Sequence, residues 1–592
     1  MMSAYINKHF ILAVLVLAGL VSCRRIHREP AITVQELKRH VHYLASDELE
    51  GRYPGTPGDR KAAGYIRQEF AEAGLNLPGK EGFQTFEILL DKKPAGDLHF
   101  RYDDFSAVQG TDYTPALFSS EGQLHAPVVF AGYGFDISNG TSPWNDYRNT
   151  DIGGKWVMLL RGSPEPDNPA SRYAAYHDDR DKVIMARDRG AGGVLLITGQ
   201  REDFPAGDPR QAEAGIPVLY ITPAVANHMI RAGSDTLSLL KTKLDSLQRS
   251  LSFELAGKLD AGAGVEEIKA FTQNVVGYLE GSDPVLKNEI VVIGAHYDHL
   301  GLGGENSSSR RPDTTAVHYG ADDNASGVAG ILELAGRLAA IRDSLSRSYL
   351  FVAFGAEEHG LLGSHHFLEE EPVVNGKYTA MINLDMIGRL NKKQNLQIGG
   401  TGSSVEADSL IGLLRENRSF SLALSAPGYG PSDHASFYSR DIPVFFFSTG
   451  PHLDYHTPFD TPDKLRFEGM KEICEFIFDL VIRLDRMPHA LTYREAGPKQ
   501  GSAGRHARKV SLGIMPDFAG VVKNGLRADY VIEGRPADLA GMQDGDIITA
   551  MNGKPVMNID DYMFRLSQLK PGQTVHVEIK RGDEVHVLLI QL

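Results

Sequence analysis

The amino-acid sequence predicts an α/β fold in which helices cover both faces of a central mixed sheet. Short apolar runs typical of buried strands recur from about residue 270 and alternate with segments of helical periodicity. The predicted strands of this region are 289–295, 349–354, 380–385 and 442–447. Helices are predicted at 326–341 and 470–484, and the first buries one apolar face made of Val328, Ile331, Leu332, Ala335 and Leu338.

Two further helices are predicted near the start of the chain. In the first, apolar residues recur at helical spacing, at Val34, Leu37, Val41 and Leu44. The segment 54–58 contains two prolines and two glycines and reads as a turn. The second helix follows at 61–74, with Ile66 and Phe70 on its apolar face.

The length of 592 residues predicts several domains, because one hydrophobic core seldom grows beyond about 250–300 residues. Short apolar strands between glycine turns mark an α/β insertion, and a stretch rich in Gly, Ser, Arg and Lys marks a linker before a compact, mainly β tail. The expected boundaries are 1–23 for a leader, 31–109 and 263–490 for the main domain, 110–262 for the insert, 491–507 for the linker and 508–592 for the tail.

The composition excludes several classes of function. The chain has 61 Lys and Arg against 76 Asp and Glu, a net charge of −15, so we expect no nucleic-acid partner. Only two cysteines are present, Cys23 and Cys474, which excludes a disulfide framework and a thiolate zinc site. Any metal ion must therefore be held by His, Asp and Glu.

The N-terminal segment has the pattern of an export signal. A basic pair, Lys8 and His9, precedes the apolar run 10–21, which is short for a membrane span. Small residues before Cys23 resemble a bacterial lipobox, which implies that Cys23 becomes the lipidated first residue of the mature protein. We expect an exported protein anchored by lipid in a bacterial cell envelope, on the periplasmic or outer-surface side; the alternative is a plain anchor helix.

Polar residues of one chemical kind follow the predicted strands of the main domain. Open α/β sheets place ligands beyond the carboxyl ends of their strands, so these segments are expected to meet in one crevice. The candidate residues are His296, Asp298, Asp323, Glu357, Glu358, Asp385 and His456, whereas Asp322 is interpreted as an acid at a helix N-terminus.

Two imidazoles and several carboxylates without a thiolate suit a divalent site such as zinc. The donors suffice for two ions if one carboxylate bridges them, and such a pair polarises a carbonyl and activates water. Asp298 is placed two residues after His296, where it can accept the second imidazole N–H. The adjacent Glu357 and Glu358 suit divided roles, one binding metal and the other handling a proton.

Five motifs match, in order, the co-catalytic di-zinc exopeptidases of metallopeptidase family 28, which include secreted bacterial aminopeptidases. These motifs are His296-Tyr297-Asp298, Gly320-Ala321-Asp322-Asp323-Asn324-Ala325-Ser326-Gly327, Glu357-Glu358, Asn383-Leu384-Asp385-Met386 and Tyr455-His456-Thr457. The resemblance implies the zinc exopeptidase fold and two Zn²⁺ per chain. It implies that Asp323 bridges the ions, that His296 and Asp385 complete one site and that Glu358 and His456 complete the other.

The same resemblance implies three roles around the metals. Glu357 is implied as the general base and Asp298 as the partner of His296. Tyr455 matches a position at which some members carry a tyrosine that stabilises the tetrahedral intermediate, whereas others lack it. His299, His318, His434 and His452 are left without an assigned role, although the segment Ser432-Asp433-His434 resembles one found in the family.

The flanking regions also resemble known modules. The segment 43–52 looks like the start of bacterial members of the family, and the insert is similar to a protease-associated domain. The tail resembles a PDZ domain, whose carboxylate-binding loop would be Leu512-Gly513-Ile514. Partners implied are peptide substrates, protein C-termini at the PDZ-like tail, and the membrane through the anchor.

We expect an aminopeptidase that releases N-terminal residues from peptides. The alternative within the family is a carboxypeptidase or dipeptidase, in which Arg389 or Arg440 would bind the terminal carboxylate. A third alternative is a peptide-binding lipoprotein with a spent peptidase core. That alternative requires a missing ligand or base, and all of them are present in the sequence.

The lipid anchor can be tested directly. If Cys23 carries lipid, Cys23→Ala should move the protein from the membrane pellet to a soluble or uncleaved form, because the first residue can no longer be acylated. Fatty-acid labelling should disappear with it. An unlabelled wild-type protein that stays in the pellet would instead identify the apolar run as a simple anchor.

Overall fold

A computed structural model describes most of the chain from residue 31 onward. It covers 31–592 except for 138–142, 167, 169–170, 200–203, 206, 231–235, 305–306, 371–373, 391–394, 417, 498–509, 517–521, 523 and 533. The leader with Cys23, and the linker from residue 498, lie outside the described residues. Within the described ranges no helix is both long and apolar enough to cross a bilayer.

The described residues form twelve α-helices and twenty-four strands. The helices are α1 (Val34–Leu44), α2 (Pro57–Glu72), α3 (Asp179–Arg187), α4 (Pro223–Ile230), α5 (Leu237–Leu247), α6 (Gly327–Ala340), α7 (Leu362–Glu369), α8 (Ala407–Leu414), α9 (His434–Tyr438), α10 (Phe467–Asp485), α11 (Pro536–Leu539) and α12 (Ile559–Ser567). The first half of the strands is β1 (Phe83–Pro94), β2 (Phe100–Tyr102), β3 (Phe105–Ser106), β4 (Tyr113–Pro115), β5 (Gly122–Phe130), β6 (Asp136–Ile137), β7 (Trp144–Asn145), β8 (Trp156–Leu160), β9 (Gly193–Ile197), β10 (Val218–Ile221), β11 (Phe253–Ala263) and β12 (Val265–Leu279). The second half is β13 (Glu289–His296), β14 (Ser348–Phe354), β15 (Lys377–Leu384), β16 (Leu396–Gly399), β17 (Leu422–Leu424), β18 (Val444–Ser448), β19 (Ile514–Pro516), β20 (Leu526–Val531), β21 (Ile547–Met551), β22 (Lys554–Pro555), β23 (Thr574–Arg581) and β24 (Glu584–Gln591).

The chain forms two compact units. The first comprises residues up to 86 together with 273–303 and 315–498, and the second comprises 87–272, 304–314 and 499–592. The first unit therefore contains most of the predicted main domain. The second unit contains the insert and the tail.

The first unit is built on an eight-stranded mixed sheet in the order β1-β12-β14-β13-β15-β18-β16-β17. Its central strands β14, β13, β15 and β18 are parallel neighbours. The four strands predicted for this region lie at these positions. The α/β prediction is confirmed, and the carboxyl ends of four adjacent strands point the same way.

Helices bury apolar faces against this sheet. In α6, the side chains of Val328, Ile331, Leu332 and Leu338 are buried, as the periodicity predicts. The predicted N-terminal helix is α1, which begins after Thr33, whose hydroxyl accepts the N–H of Glu36. Together α1, α2, α6 and α10 share one hydrophobic core with the sheet.

The insert forms its own eight-stranded sheet in the order β3-β2-β11-β5-β8-β9-β10-β4. Its strands β5, β8, β9 and β10 are parallel, with α3 next to β9 in sequence, so the insert is an α/β module as expected. The sheet also extends beyond the predicted start at residue 110. It does so because β2 pairs with β11, and β3 pairs with β2.

The tail is mainly β, as predicted. Its sheet runs β19-β20-β21-β23-β24, with β22 paired to β21 and with the short helices α11 and α12. Leu512 and Ile514, in the predicted carboxylate-binding loop, are buried in its core. Gly513 between them has φ 81°, and a Cβ there would lie 2.2 Å from the Arg535 side chain, so only glycine fits.

Within the second unit, buried ion pairs join helix α12 of the tail to helix α3 of the insert and the residue after it. The carboxylate of Asp561 lies 3.2 Å from Arg180 Nη2 and 3.2 Å from Arg187 Nη1. A second pair has the opposite polarity: Arg565 Nη2 of α12 donates to Oδ1 of Asp188, the residue after α3, at 2.9 Å. The Asp561 and Asp188 side chains are at most 1 % exposed, so each charge depends on its partner for compensation.

We therefore predict that Asp561→Ala destabilises the second unit by about 3 kcal/mol, because it removes the carboxylate nearest to two buried guanidinium groups. The two tryptophans of the chain, Trp144 and Trp156, both lie in the insert, so tryptophan fluorescence during urea unfolding reports on this unit. The matched control is Asp583→Ala, in the exposed turn between β23 and β24. An unfolding transition identical in both variants would contradict the coupling.

Candidate metal centre

The predicted site residues converge at the carboxyl ends of the parallel strands. His296 ends β13, Glu357 and Glu358 follow β14, and Asp385 follows β15. His296 lies opposite Phe354 in the β13–β14 ladder, which brings the segment after Phe354 beside it. Asp323 lies in the tight turns before α6, and His456 lies in the loop after β18; their positions complete one buried cluster.

One side of the cluster is formed around His296. Its Nε2 lies 3.3 Å from Asp323 Oδ1 and 3.7 Å from Asp385 Oδ1. These three side chains form a group whose donor atoms all lie within 4.8 Å of one another. Glu357 Oε2 is slightly farther, 3.9 Å from the same nitrogen.

The other side is formed around His456. Its Nε2 lies 3.2 Å from Asp323 Oδ2 and 3.2 Å from Glu358 Oε2. The two oxygens of Asp323 thus face different histidines, Oδ1 toward His296 and Oδ2 toward His456. A carboxylate in this position can be shared by two cations.

The spacing of these donors fits zinc. Nitrogen and oxygen ligands at about 2.0–2.1 Å in a tetrahedron are separated from each other by about 3.3 Å. The distances from the two imidazole nitrogens to their three carboxylates are 3.2–3.7 Å. The donor set is also chemically suitable, since it combines neutral imidazole nitrogens with carboxylate oxygens and contains no thiolate.

Asp298 lies beside His296 and also contacts the segment that carries the two glutamates. His296 Nδ1 lies 3.3 Å from the main-chain oxygen of Asp298 and 3.7 Å from its Oδ1. The carboxylate instead accepts the backbone N–H groups of Glu357, at 2.9 Å, and Glu358, at 3.3 Å. Asp298 therefore orients the segment that carries both glutamates, and its carbonyl is the nearer acceptor for His296.

The two adjacent glutamates have opposite electrostatic environments in the metal-free protein. Burial raises the pKa of Glu357 well above its usual range, and the neighbouring Glu358 adds to this effect. For Glu358, burial acts in the same direction, but hydrogen bonds from His299 and His456 outweigh it and lower its pKa to about 2. Glu357 thus favours holding a proton, whereas Glu358 favours the carboxylate form.

Tyr455 lies against the cluster. Its ring stacks on the His456 ring with centroids 3.9 Å apart. Burial, and then the nearby carboxylates, raise the pKa of the Tyr455 phenol above its ordinary value. The phenol therefore keeps its proton and is a hydrogen-bond donor beside the centre.

Two residues without an assigned role in the sequence contact the centre. His299, fully buried, places Nδ1 2.9 Å from Glu358 Oε1, the oxygen that does not face His456. Arg52 donates to the carbonyls of Tyr297 at 2.6 Å and Gly320 at 3.0 Å, so it ties two metal-site segments together. A second histidine shortly after His296 was the sequence signal that could have indicated the role of His299. The periodicity of the sequence contains no signal for the role of Arg52.

The remaining histidines of this region contact neighbouring loop and strand residues. The His434 ring stacks on Phe446, with centroids 4.4 Å apart, and His318 Nδ1 lies 2.9 Å from the Ala316 carbonyl. His452 Nε2 lies 3.3 Å from Asp322 Oδ2. Asp322 is buried at the turns that lead into α6 and accepts the Gly388 N–H at 2.6 Å, so its carboxylate connects this loop to the loop after β15.

The arginines considered for a substrate carboxylate lie in different surroundings. Arg389 Nη2 is engaged by Asp460, at 3.1 Å, and by Asp454, at 3.2 Å. Arg440 is an exposed residue after α9. Arg389 is therefore already compensated by two carboxylates.

Comparison with known proteins places the chain in a family. The profile of "Peptidase family M28" matches residues 274–481, and that of "PDZ domain" matches residues 527–581. Among solved structures, the aminopeptidase from Aneurinibacillus sp. strain AM-1 has a TM-score of 0.45 at 21% identity and covers 80% of this chain and 97% of its own.

Two curated bacterial relatives extend over most of the chain. Aminopeptidase YwaD of Bacillus subtilis is 29% identical over 445 residues, covering 73% of this chain and 81% of the relative. An aminopeptidase of Pseudomonas aeruginosa is 31% identical over 424 residues, covering 69% of this chain and 68% of the relative. The resemblance inferred from the five motifs is thereby confirmed: the chain belongs to peptidase family M28 and carries a PDZ domain near its C-terminus.

Proposed function

We propose that this M28 peptidase is a di-zinc aminopeptidase that removes N-terminal residues from peptides. The observation that carries the proposal is the position of Asp323, whose two oxygens face two different histidines at 3.3 and 3.2 Å. The naming of its relatives as aminopeptidases supports the substrate class.

Two sets of side chains would hold the ions. One set is His296, Asp323 and Asp385, and the other is Asp323, Glu358 and His456. Bound zinc would supply Lewis-acid chemistry, polarising the scissile carbonyl and lowering the pKa of water. The protein supplies the fixed spacing and the buried environment.

Glu357 is the proposed general base. It lies beside the first set, 3.9 Å from His296 Nε2, and is assigned no metal. It would take the proton of the attacking water and deliver it to the leaving amine. Its pKa is raised by burial in the metal-free protein, and cations bound beside it would favour the carboxylate form that takes the proton. Asp298 keeps the glutamate in place through the backbone amide of residue 357.

Tyr455 is proposed as a donor to the developing oxyanion. Its phenol keeps its proton because burial and the neighbouring carboxylates raise its pKa. A neutral donor at a position where negative charge develops lowers the barrier more than it stabilises the substrate.

Electrostatics favours a free N-terminus over a C-terminal carboxylate as the recognised end. A pocket for a C-terminal carboxylate needs a cationic side chain whose charge is not already compensated. Arg389, the candidate for a carboxypeptidase pocket, is paired with Asp454 and Asp460. These contacts support the aminopeptidase over the carboxypeptidase or dipeptidase alternative.

The lipid anchor at Cys23, the envelope location, the protease-associated identity of the insert and capture of protein C-termini by the Leu512-Gly513-Ile514 loop are further proposals. The buried Leu512 and Ile514 support the last of these, because they hold the loop against the tail core. A spent peptidase core is not favoured, since all five proposed ligands lie in the same cluster, with the two histidine Nε2 atoms 3.2–3.7 Å from carboxylate oxygens of Asp323, Asp385 and Glu358.

Substituting the adjacent glutamates should separate base from ligand. Glu357→Gln keeps the size of the side chain but cannot accept a proton, so kcat on an aminoacyl anilide should fall at least about 10²-fold with zinc content unchanged. Glu358→Gln should lose zinc as well as rate. Zinc measured by elemental analysis that falls equally in both variants would contradict this division of roles.

Cleavage of peptides tests which end of the substrate the enzyme recognises. Peptides with a free amine should be cleaved from the N-terminus, and their N-acetylated counterparts should not. Cleavage of the free peptides should depend on metal, so a chelator should abolish it. Efficient release of C-terminal residues from acetylated peptides would favour the carboxypeptidase alternative.

Removing zinc should make stability depend on pH. In the metal-free protein, burial lowers the pKa of His456, but the hydrogen bonds that its imidazole donates to the carboxylates of Asp323 and Glu358 outweigh burial and raise the pKa from 6.5 to about 10. This stabilisation is complete below pH 6.5 and is lost as the pH rises toward 10. For Glu358, with its pKa lowered from 4.5 to about 2, stabilisation is present above pH 4.5 and lost as the pH falls toward 2.

The metal-free protein should therefore unfold at its highest temperature between about pH 4.5 and 6.5 and at lower temperatures toward pH 9. Zinc requires neutral imidazoles, so the zinc-loaded protein should not show the alkaline decline. Calorimetry across pH 4–9 with and without chelator checks this. Parallel curves for the two forms would contradict the assignment of His456 to the centre.

A further inference from the structure

One buried residue holds the main chain of the segment that carries Asp323. The N–H groups of Asp322 and Asp323 donate to Asp460 Oδ2 at 2.8 and 3.0 Å. The preceding N–H, of Ala321, donates to the Asp460 carbonyl at 3.1 Å. Asp460 is fully buried, so these contacts are shielded from water. Three consecutive amides are thereby fixed by one side chain and its own backbone.

The second oxygen of the same carboxylate is also engaged. Arg389 Nη2 donates to Asp460 Oδ1 at 3.1 Å and to Asp454 Oδ2 at 3.2 Å. Arg389 lies four residues after Asp385, and Asp460 lies four residues after His456. The Asp460–Arg389 pair therefore links the three segments that carry Asp323, Asp385 and His456.

Only a carboxylate suits this position. It accepts two backbone N–H groups on one oxygen and a guanidinium on the other, and both edges must be acceptors. An asparagine would present an NH₂ group either to the amides or to Arg389, placing donor against donor. The cost of that mismatch is high in a buried site, because the unpaired groups cannot turn to water.

The start of the same segment is also restrained. Gly320 has φ 53°, and a Cβ on it would lie 2.6 Å from the His299 ring. Its carbonyl accepts from Arg52 at 3.0 Å. The main chain is therefore held on one side by Arg52 and on the other by Asp460, which leaves the Asp323 carboxylate little freedom to turn.

We propose that Asp460, supported by Arg389, is a positioning residue that sets the orientation of the Asp323 carboxylate for two metal ions. This inference rests on the proposed function, because it assigns Asp323 the bridging role. Asp460 acts through Asp323 and through the loop of His456, and it is given no contact with substrate. Removing it should loosen the metal site before it unfolds the domain.

The test compares Asp460→Asn with the wild type in the full chain. Zinc affinity should fall about 10–100-fold in competition with a fluorescent chelator, the range typical when residues that support metal ligands are changed. With saturating zinc, kcat should fall while KM for an aminoacyl anilide changes less than about twofold, because substrate contacts are retained. The matched control is Asp463→Asn, an exposed carboxylate three residues later, which should match the wild type.

A milder variant decides the outcome if Asp460→Asn does not fold. Arg389→Lys leaves the amide contacts of Asp460 intact and keeps the positive charge, but it replaces the rigid guanidinium, whose Nη2 donates to both Asp460 and Asp454, by an ammonium on a flexible chain, so zinc affinity should fall by a smaller factor. A folded variant with a lowered unfolding temperature but wild-type zinc affinity would overturn the inference, since it would indicate a purely structural role. A wild-type protein that binds no zinc would instead overturn the proposed function.

Discussion

Crowding of buried negative charge is the constraint on which the rest of the metal site depends. Asp323, Glu357, Glu358, Asp298 and Asp460 are all buried or nearly so, and isolated buried charges are costly. Imidazoles, backbone amides and the guanidinium of Arg389 donate hydrogen bonds to them, and the buried Arg52 adds positive charge nearby. The loops are therefore shaped by the need to compensate this negative charge with protons, amides or cations.

This constraint explains the different behaviour of neighbouring residues. Glu358 has imidazoles on both oxygens and stays ionised, whereas Glu357 has a poorer set of donors and tends to hold a proton. Adjacent positions at the end of one strand diverge in direction, so a single dipeptide yields two chemical roles. Asp298 makes this possible by accepting both of their backbone N–H groups.

Much of this architecture was predictable because it follows from periodicity and strand order. The runs that become β13, β14, β15 and β18 are apolar and bounded by turns, and parallel strands bring their carboxyl ends together. The contacts of Asp298, Asp460 and Arg389 were not predictable in the same way. These contacts join loops that are distant in sequence. The sequence alone does not distinguish a carboxylate that binds metal from one that accepts backbone amides, because both follow a strand. Likewise, no pattern in the sequence pairs Asp561 of α12 with Arg180 and Arg187 of α3, which meet in the structure as buried ion pairs.

The way the insert enters the first unit has a consequence for how the chain reaches its native state. The sheet places β1, which precedes the insert, directly beside β12, which follows it. The chain therefore departs and returns along neighbouring strands, and a folded insert already holds its two ends near each other. Pairing β1 with β12 closes a long loop, and the entropic cost of closing a loop grows only with the logarithm of its length. Folding of the insert brings the two ends of this loop together, so most of that cost is met when the insert folds. An inserted module of this kind can change in length over evolution at little thermodynamic cost to the sheet that hosts it.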